Sequence, residues 1–208
     1  MIVQPASDRS LLVTFGHEIT LESWRAVQTL TRALEGVRGI LNLHPAYASV
    51  LIDFDPRLRT HQEIAALVDA APRSDDHAAP ARTVEIAAIF DGPDLDDVAR
   101  HTGLSAARVI EIFNAAEYVV YFVGFSTCFP YLGGLPAALA TPRLAAPRKQ
   151  VPAGSVAIGG AQAGVYPLPS PGGWRLIGRT TLRLFDPGAE PPALLRMGDR
   201  VRFVERRP

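Results

Sequence analysis

Residues 151–180, VPAGSVAIGGAQAGVYPLPSPGGWRLIGRT, constrain the fold more than any other part of the chain. Glycines, prolines and small polar residues are too dense there for a long helix or an unbroken strand. Val156, Ile158, Val165, Trp174, Leu176 and Ile177 interleave with the glycines. That pattern reads as short strands joined by tight turns and not as a solvated tether. Gly154, Gly159, Gly160, Gly164, Gly172, Gly173 and Gly178 all fall in this run. Glycine loses the most chain entropy on folding, so such a density marks a shaped surface that a ligand or another backbone approaches closely. The competing reading is a small barrel whose tight turns bind nothing. From residue 143 onward, short strands alternating with Gly/Pro turns predict a closed or nearly closed β-barrel.

The N-terminal part has a different pattern. Two short strands are expected at 2–5 and 11–15, around the turn-forming Ser7-Asp8. Trp24, Val27, Leu30, Thr31 and Leu34 then recur at near-helical spacing, and Gly36 and Gly39 mark the exit. Strands at 39–44 and 49–54 follow, and Thr60-His61-Gln62-Glu63 is a capping box ahead of the apolar stripe Ile64, Leu67, Val68 and Ala71. Helices on one face of a mainly antiparallel sheet bury these stripes most simply, so the fold class is α+β, with a two-layer sandwich over residues 1–72. Residues 73–81 lack periodicity and read as a linker, and residues 82–208 form a second domain. In that domain Thr83 begins a strand, Asp94 is a candidate N-cap for a helix over 95–101, and Ser105 for another to about Phe113. An apolar, aromatic strand over 118–125 leads to a second glycine motif, GFSTCFPYLGGLP at 124–136, which contains Gly133 and Gly134.

Composition limits the chemistry. The chain has 208 residues and is 48% apolar, enough for a buried core without disulfides. Cys128 is the single cysteine, and Met1 is followed by no apolar signal-peptide core, so a cytoplasmic protein is expected. Lysine plus arginine number 21 and aspartate plus glutamate 21, which leaves no long-range attraction for nucleic acid or an anionic membrane. The arginines of residues 196–207 are offset by Asp199 and Glu205 and read as a solvated surface. The five histidines stand far apart with no metal-ligand spacing, so no metal site is expected. There is no GxxxxGK[ST] loop, and Lys149 is the only lysine.

With the downstream RLFDP at 183–187, the two glycine motifs closely resemble the family of 5-oxoprolinase B subunits. That family also contains the sporulation histidine-kinase inhibitor KipI and proteins labelled allophanate hydrolase subunit 1. The resemblance spans essentially the whole chain and is most specific in VPAGSV, GGAQAGVYPLPSPGGW and IGRT. It implies a cyclophilin-like barrel for the second domain. It also implies a subunit of an ATP-dependent lactam hydrolase that opens 5-oxo-L-proline to L-glutamate. In the family this subunit works with a paralogous C subunit and a larger A subunit, so the isolated chain is expected to be inactive and ATP to enter through the complex. The KipI branch implies instead a protein that binds and inhibits a sensor histidine kinase, and the older label a subunit of a related urea- or amide-metabolising enzyme. The family motif usually reads GFxPGFPYLGG, whereas Thr127 here replaces the proline and Cys128 the glycine. Phe113 stands where the preceding helix often carries a histidine.

The candidate binding residues are polar groups in or beside the motifs. Arg148, with Lys149 and Arg143 nearby, and Arg179 are candidates to pair with a carboxylate or phosphate. Ser155, Gln162, Tyr166 and Ser170 place hydroxyl and amide groups beside glycine-freed backbone, as a small polar ligand requires. Each also has a structural reading, as turn support for the serines and strand-to-loop ties for the arginines. Trp174 reads foremost as barrel core. Cys128 invites comparison with a nucleophilic thiol, but no histidine neighbours it in sequence to act as its base.

Overall fold

The structure, a computed structural model, describes residues 1–18, 20–73 and 81–206. The chain separates into two units, Met1–Pro80 and Ala81–Pro208. The linker expected at 73–81 falls almost wholly on residues 74–80, outside the described residues.

In the first unit the strands β1 (Ile2–Ser7), β2 (Ser10–Thr14), β3 (Ile40–Pro45) and β4 (Ser49–Phe54) form an antiparallel sheet in the order β1-β2-β4-β3. Helix α1 (Leu21–Leu34) starts where the Thr20 hydroxyl accepts from the Ser23 amide, and α2 (His61–Ala70) where Thr60 and Glu63 close the expected capping box. Alternate residues Leu11, Val13, Val50, Ile52 and Phe54 turn to one sheet face and meet Val27, Leu30 and Leu34 of α1 and Ile64 and Val68 of α2. All are 3% exposed or less, so each contributes about 1.5–3 kcal/mol of burial to holding the helices down.

The second unit is built on a seven-stranded sheet. Its strands in chain order are β5 (Thr83–Ala88), β6 (Tyr118–Gly124), β7 (Phe129–Gly133), β9 (Ser155–Ile158), β10 (Ala163–Val165), β12 (Arg175–Arg179) and β13 (Arg200–Glu205). Across the sheet they run β12-β9-β10-β7-β6-β13-β5. All neighbours are antiparallel except β5 and β13. The sheet curls until its two edges meet, and Ile89 and Arg179 exchange backbone hydrogen bonds of 2.8 Å each way. A methyl on Gly178 would lie 2.5 Å from the Ile89 carbonyl, and one on Gly92 2.4 Å from the Leu176 carbonyl, so this seam closes only over glycine. Strands β8 (Arg148–Val151) and β11 (Ser170–Gly172) form a separate ribbon.

Helices α3 (Leu95–Thr102) and α4 (Ala106–Ala115) cover the sheet through Leu95, Val98, Val109 and Phe113, which join Ile86, Tyr118, Leu132, Val201 and Phe203 in one core. Ser105 caps α4 as expected, by accepting from the Arg108 amide, and Gly103 ends α3 with φ +72°. Two expectations change. Asp94 stands at the N-cap position of α3 but makes no capping hydrogen bond with its side chain, which is used elsewhere. The arginine-rich tail, read as solvated surface, contains strand β13, with Val201 and Phe203 buried and Arg200 and Arg202 both held by Glu117 at 2.7 and 2.8 Å. The period-two pattern of this strand is present in the sequence, and the arginines on the outer face mask it. No helix among the described residues is long and apolar enough to cross a membrane.

Candidate functional site

The two glycine motifs meet at one cavity of about 310 Å³. Its wall is aromatic: Phe125, Phe129 and Tyr131 come from the motif at 124–136, and Tyr166 and Trp174 from the run at 151–180. Phe129 is the hub. Its ring lies edge-on to Phe125, Tyr131, Tyr166 and Trp174 at centroid distances of 5.6, 5.1, 5.1 and 5.4 Å, contacts worth about 0.5–1.5 kcal/mol each beyond burial. Arg143 completes the mouth, its guanidinium carbon 5.5 Å from the centre of the Trp174 ring.

The motif glycines make room for aromatic rings, three of them in the cavity wall. A methyl on Gly159 would stand 2.3 Å from the Trp174 ring, one on Gly164 2.8 Å from Phe129, one on Gly172 2.2 Å from the Tyr166 hydroxyl, and one on Gly133 2.1 Å from Tyr121. Gly172 and Gly173 also line the cavity. Gly134, Gly154 and Gly160 take φ of +95°, +80° and +66° in turns, and Gly154 lies against the Thr180 carbonyl. The surface shaping expected from the glycine density is therefore largely ring packing.

The turn between β6 and β7 carries backbone strain. Phe125 and Cys128 adopt φ +66° and +62°, the only non-glycine residues in the left-handed region among those described. That conformation costs a side-chain-bearing residue about 1–2 kcal/mol. Hydrogen bonds from the Ser126 amide to the Gly124 carbonyl and from the Phe129 amide to the Ser126 carbonyl hold it. Phe125 is thereby 65% exposed at the rim of the cavity. Cys128 sits where the family motif has glycine, and its backbone takes the conformation that glycine adopts freely.

Burial raises the pKa of both Tyr131 and Tyr166, opposed at Tyr131 by Arg143 and at Tyr166 first by a backbone hydrogen bond with Trp174 and then by Arg143, so the two phenols stay protonated near neutral pH. The Cys128 thiol is also raised by burial, which is the opposite of an activated nucleophile. Arg143 has no acidic partner among the described residues. The cavity thus offers aromatic faces, phenolic donors and one guanidinium. This suits a small flat molecule with one carboxylate, and it lacks the cluster of donors that a triphosphate needs. No group of three or more His, Cys, Asp or Glu able to hold a metal occurs among the described residues.

Of the residues singled out from sequence, Tyr166, Gly172 and Gly173 line this cavity and Arg148, Ser155, Gln162 and Arg179 do not. Arg148 donates to the Asp94 carboxylate at 2.6 Å and to the Trp174 carbonyl at 3.4 Å. Ser155 is buried in β9, and Gln162 is buried in the turn before β10. Arg179 forms a double hydrogen bond with Asp91 at 2.9 and 2.8 Å on the barrel seam. The Ser170 hydroxyl is buried without a hydrogen bond, so it does not support the turn in that way. Phe113 is wholly buried against Phe90, Tyr118 and Phe203. Sequence reasoning passed over Phe125, Phe129 and Tyr131, and the available signal was the aromatic interleaving of GFSTCFPYLGG. Trp174, expected foremost in the core, is 5% exposed and also walls the cavity.

Residues 1–195 match the family model described as carboxyltransferase domain, subdomain C and D. The 5-oxoprolinase B subunit of Escherichia coli O157:H7 is 46% identical over 190 residues, covering 87% of this chain and 83% of that protein. The crystal structure of TTHA0988 superposes with a TM-score of 0.88 at 40% identity, over 96% of this chain but only 40% of that longer one. The Kluyveromyces lactis urea carboxylase shares the fold, with a TM-score of 0.76 at 21% identity over 99% of this chain and 22% of that one. The chain therefore belongs to the carboxyltransferase domain, subdomain C and D family and, within it, to the family of 5-oxoprolinase B subunits that its glycine motifs resemble.

Proposed function

We propose that this chain is the B subunit of an ATP-dependent 5-oxoprolinase, converting 5-oxo-L-proline and water to L-glutamate only in complex with A and C subunits. The observation that carries the reading is the aromatic cavity with Arg143 over Trp174. A five-membered lactam is flat and largely apolar on its faces, so it packs on Phe129 and Trp174, and its carboxylate pairs with the guanidinium of Arg143. The lactam carbonyl accepts from a phenol that burial keeps protonated. Hydrolysis breaks the ring C–N bond and creates a second carboxylate and an ammonium, both poorly accommodated by this wall, which favours product release. ATP chemistry is left to the complex, since the cavity lacks donors for a triphosphate.

The test is a coupled ATPase and glutamate-release assay on the chain co-expressed with A and C subunits, beside Arg143→Ala and Arg143→Lys. Turnover that requires this chain, and a 5-oxoproline KM raised at least about tenfold in Arg143→Ala with partial recovery in Arg143→Lys, is the expected result. Turnover by the isolated chain, or an Arg143→Ala complex with unchanged KM, overturns the reading. Failure to assemble with a C subunit together with co-purification of a histidine kinase would favour the KipI-like role.

A further inference from the structure

The barrel seam opens into a second groove, of about 610 Å³, lined by Glu85 and Ala87 on one side, Arg179, Thr181 and Arg183 on the other, and Arg206 at its end. The sheet pairing explains why it is open. Ile89 and Arg179 form an antiparallel bridge, and continuing that register would set Thr181 opposite Ala87 and Arg183 opposite Glu85. No ladder forms there. The Thr180 hydroxyl instead donates to the Ala87 carbonyl at 2.7 Å and accepts from the Leu182 amide at 3.1 Å, and Leu184 is drawn into the core at 1% exposure. The chain therefore turns away from β5 and leaves that edge uncovered.

The parallel pairing of β5 with β13 decides which backbone groups line the gap. The Arg82 and Ala88 carbonyls accept from the Arg200 and Arg206 amides, so even-numbered residues of β5 bond to β13 and odd-numbered ones turn the other way. The amide and carbonyl of both Glu85 and Ala87 therefore face the groove, and the Ala87 carbonyl is the one that accepts from the Thr180 hydroxyl. Among its lining residues Arg179 is already neutralised by Asp91, whereas Arg183 and Arg206 have no acidic partner among the described residues. Glu85 is the single acid of the lining. Two unneutralised guanidiniums, two outward amides and the Thr181 hydroxyl form a donor-rich cleft.

We propose that this seam groove is a binding site for a small oxyanion, a phosphoryl or carboxylate group, separate from the aromatic cavity. The anion lies between Arg183 and Arg206 and accepts from the Glu85 and Ala87 amides, the donors that the open ladder leaves without a strand partner.

Calorimetric titration of the full chain at low ionic strength with inorganic phosphate, pyrophosphate, ATP and L-glutamate tests this, beside an Arg183→Ala/Arg206→Ala double variant. Both arginines are exposed, so the variant should keep its fold, and an unchanged thermal midpoint checks that. The expected result is saturable binding of at least one probe, weakened at least about tenfold in the double variant, with the Glu85 and Ala87 amide resonances moving on titration. Tighter binding of pyrophosphate and ATP than of glutamate assigns the phosphoryl source, and the reverse order the carboxylate source. Absence of binding by all four probes, or binding that the double variant retains, overturns the proposal. Arg143→Ala should leave this binding unchanged, which separates its failure from failure of the 5-oxoprolinase reading.

Discussion

Asp94 and Arg148 are joined by a 2.6 Å ion pair that ties the start of α3 to the ribbon strand β8. The second Asp94 oxygen accepts from the Leu176 amide at 2.7 Å in β12, and the carboxylate side chain is 5% exposed. One buried carboxylate thus fixes helix, ribbon and barrel edge beside the wall that holds Trp174. Asp94→Asn keeps the shape and removes the charge, leaving Arg148 partly buried without its counter-ion. A loss of about 2–3 kcal/mol is expected, somewhat below the value for a fully buried pair because Arg148 is 28% exposed. Urea unfolding followed by Trp174 emission in a Trp24→Phe background reads this unit alone, and an unchanged midpoint would refute the role.

Cys128→Gly should stabilise the second unit. The left-handed φ of +62° costs cysteine about 1–2 kcal/mol, against roughly 0.5–1 kcal/mol for the extra chain entropy of glycine when unfolded. The net expectation is a gain of about 0–1.5 kcal/mol, centred on ~0.8 kcal/mol, by thermal or urea unfolding. Cys128→Ala removes the thiol without relieving the backbone and should show no such gain. Equal stability of the glycine and alanine variants would mean that the turn stores no strain.

Gly159→Ala tests whether glycine is required as a seat for the Trp174 ring. The added methyl would lie 2.3 Å from ring carbon Cδ2, so the indole must move away from its place beneath Arg143. Overpacking of this kind costs about 1–3 kcal/mol, and Trp174 emission should shift to the red as the ring gains exposure. Gly173→Ala, in the same run but with no atom closer than 3.6 Å to the new methyl, should change neither quantity. A silent Gly159→Ala would show that the ring has another place to go.

Elements whose determinants lie a few residues apart are legible in the sequence. The capping box of Thr60 and Glu63, the Ser105 cap and the alternating residues of β2 and β4 each settle one element within a single turn or pleat. Features set by distant pairs are not legible in this way. Asp94 resembles an N-cap because its partners, Arg148 and Leu176, stand 54 and 82 residues further on. Barrel closure through Ile89 and Arg179 has no local signature beyond the small size of Gly92 and Gly178. At the cavity the glycines mark the two motifs that meet there, but the polar residues between them are mostly turned into strands and ion pairs. The walls come instead from aromatic residues that sequence pattern alone assigns to core.

The first unit should lose stability in acid, and the carboxylates responsible can be named. A hydrogen bond from Ser10, helped by His44, lowers the pKa of Asp53, and Arg57 lowers Asp55 from its ordinary 3.8 to about 2. The Thr60 amide and hydroxyl lower Glu63 within the capping box. A carboxyl whose folded pKa lies below its unfolded value binds fewer protons when folded, so protonation favours unfolding. This contribution is complete above the unfolded values near ~4 and disappears as pH falls toward ~2. The urea midpoint of the first unit, read from Trp24, which is 6% exposed, should be flat from about pH 7 to 5 and then decline steadily to about pH 2.5. Asp55→Asn should start lower at neutral pH and decline less steeply. A midpoint that stays level down to the acid limit in the parent chain would show that these contacts survive protonation and do not hold the unit together.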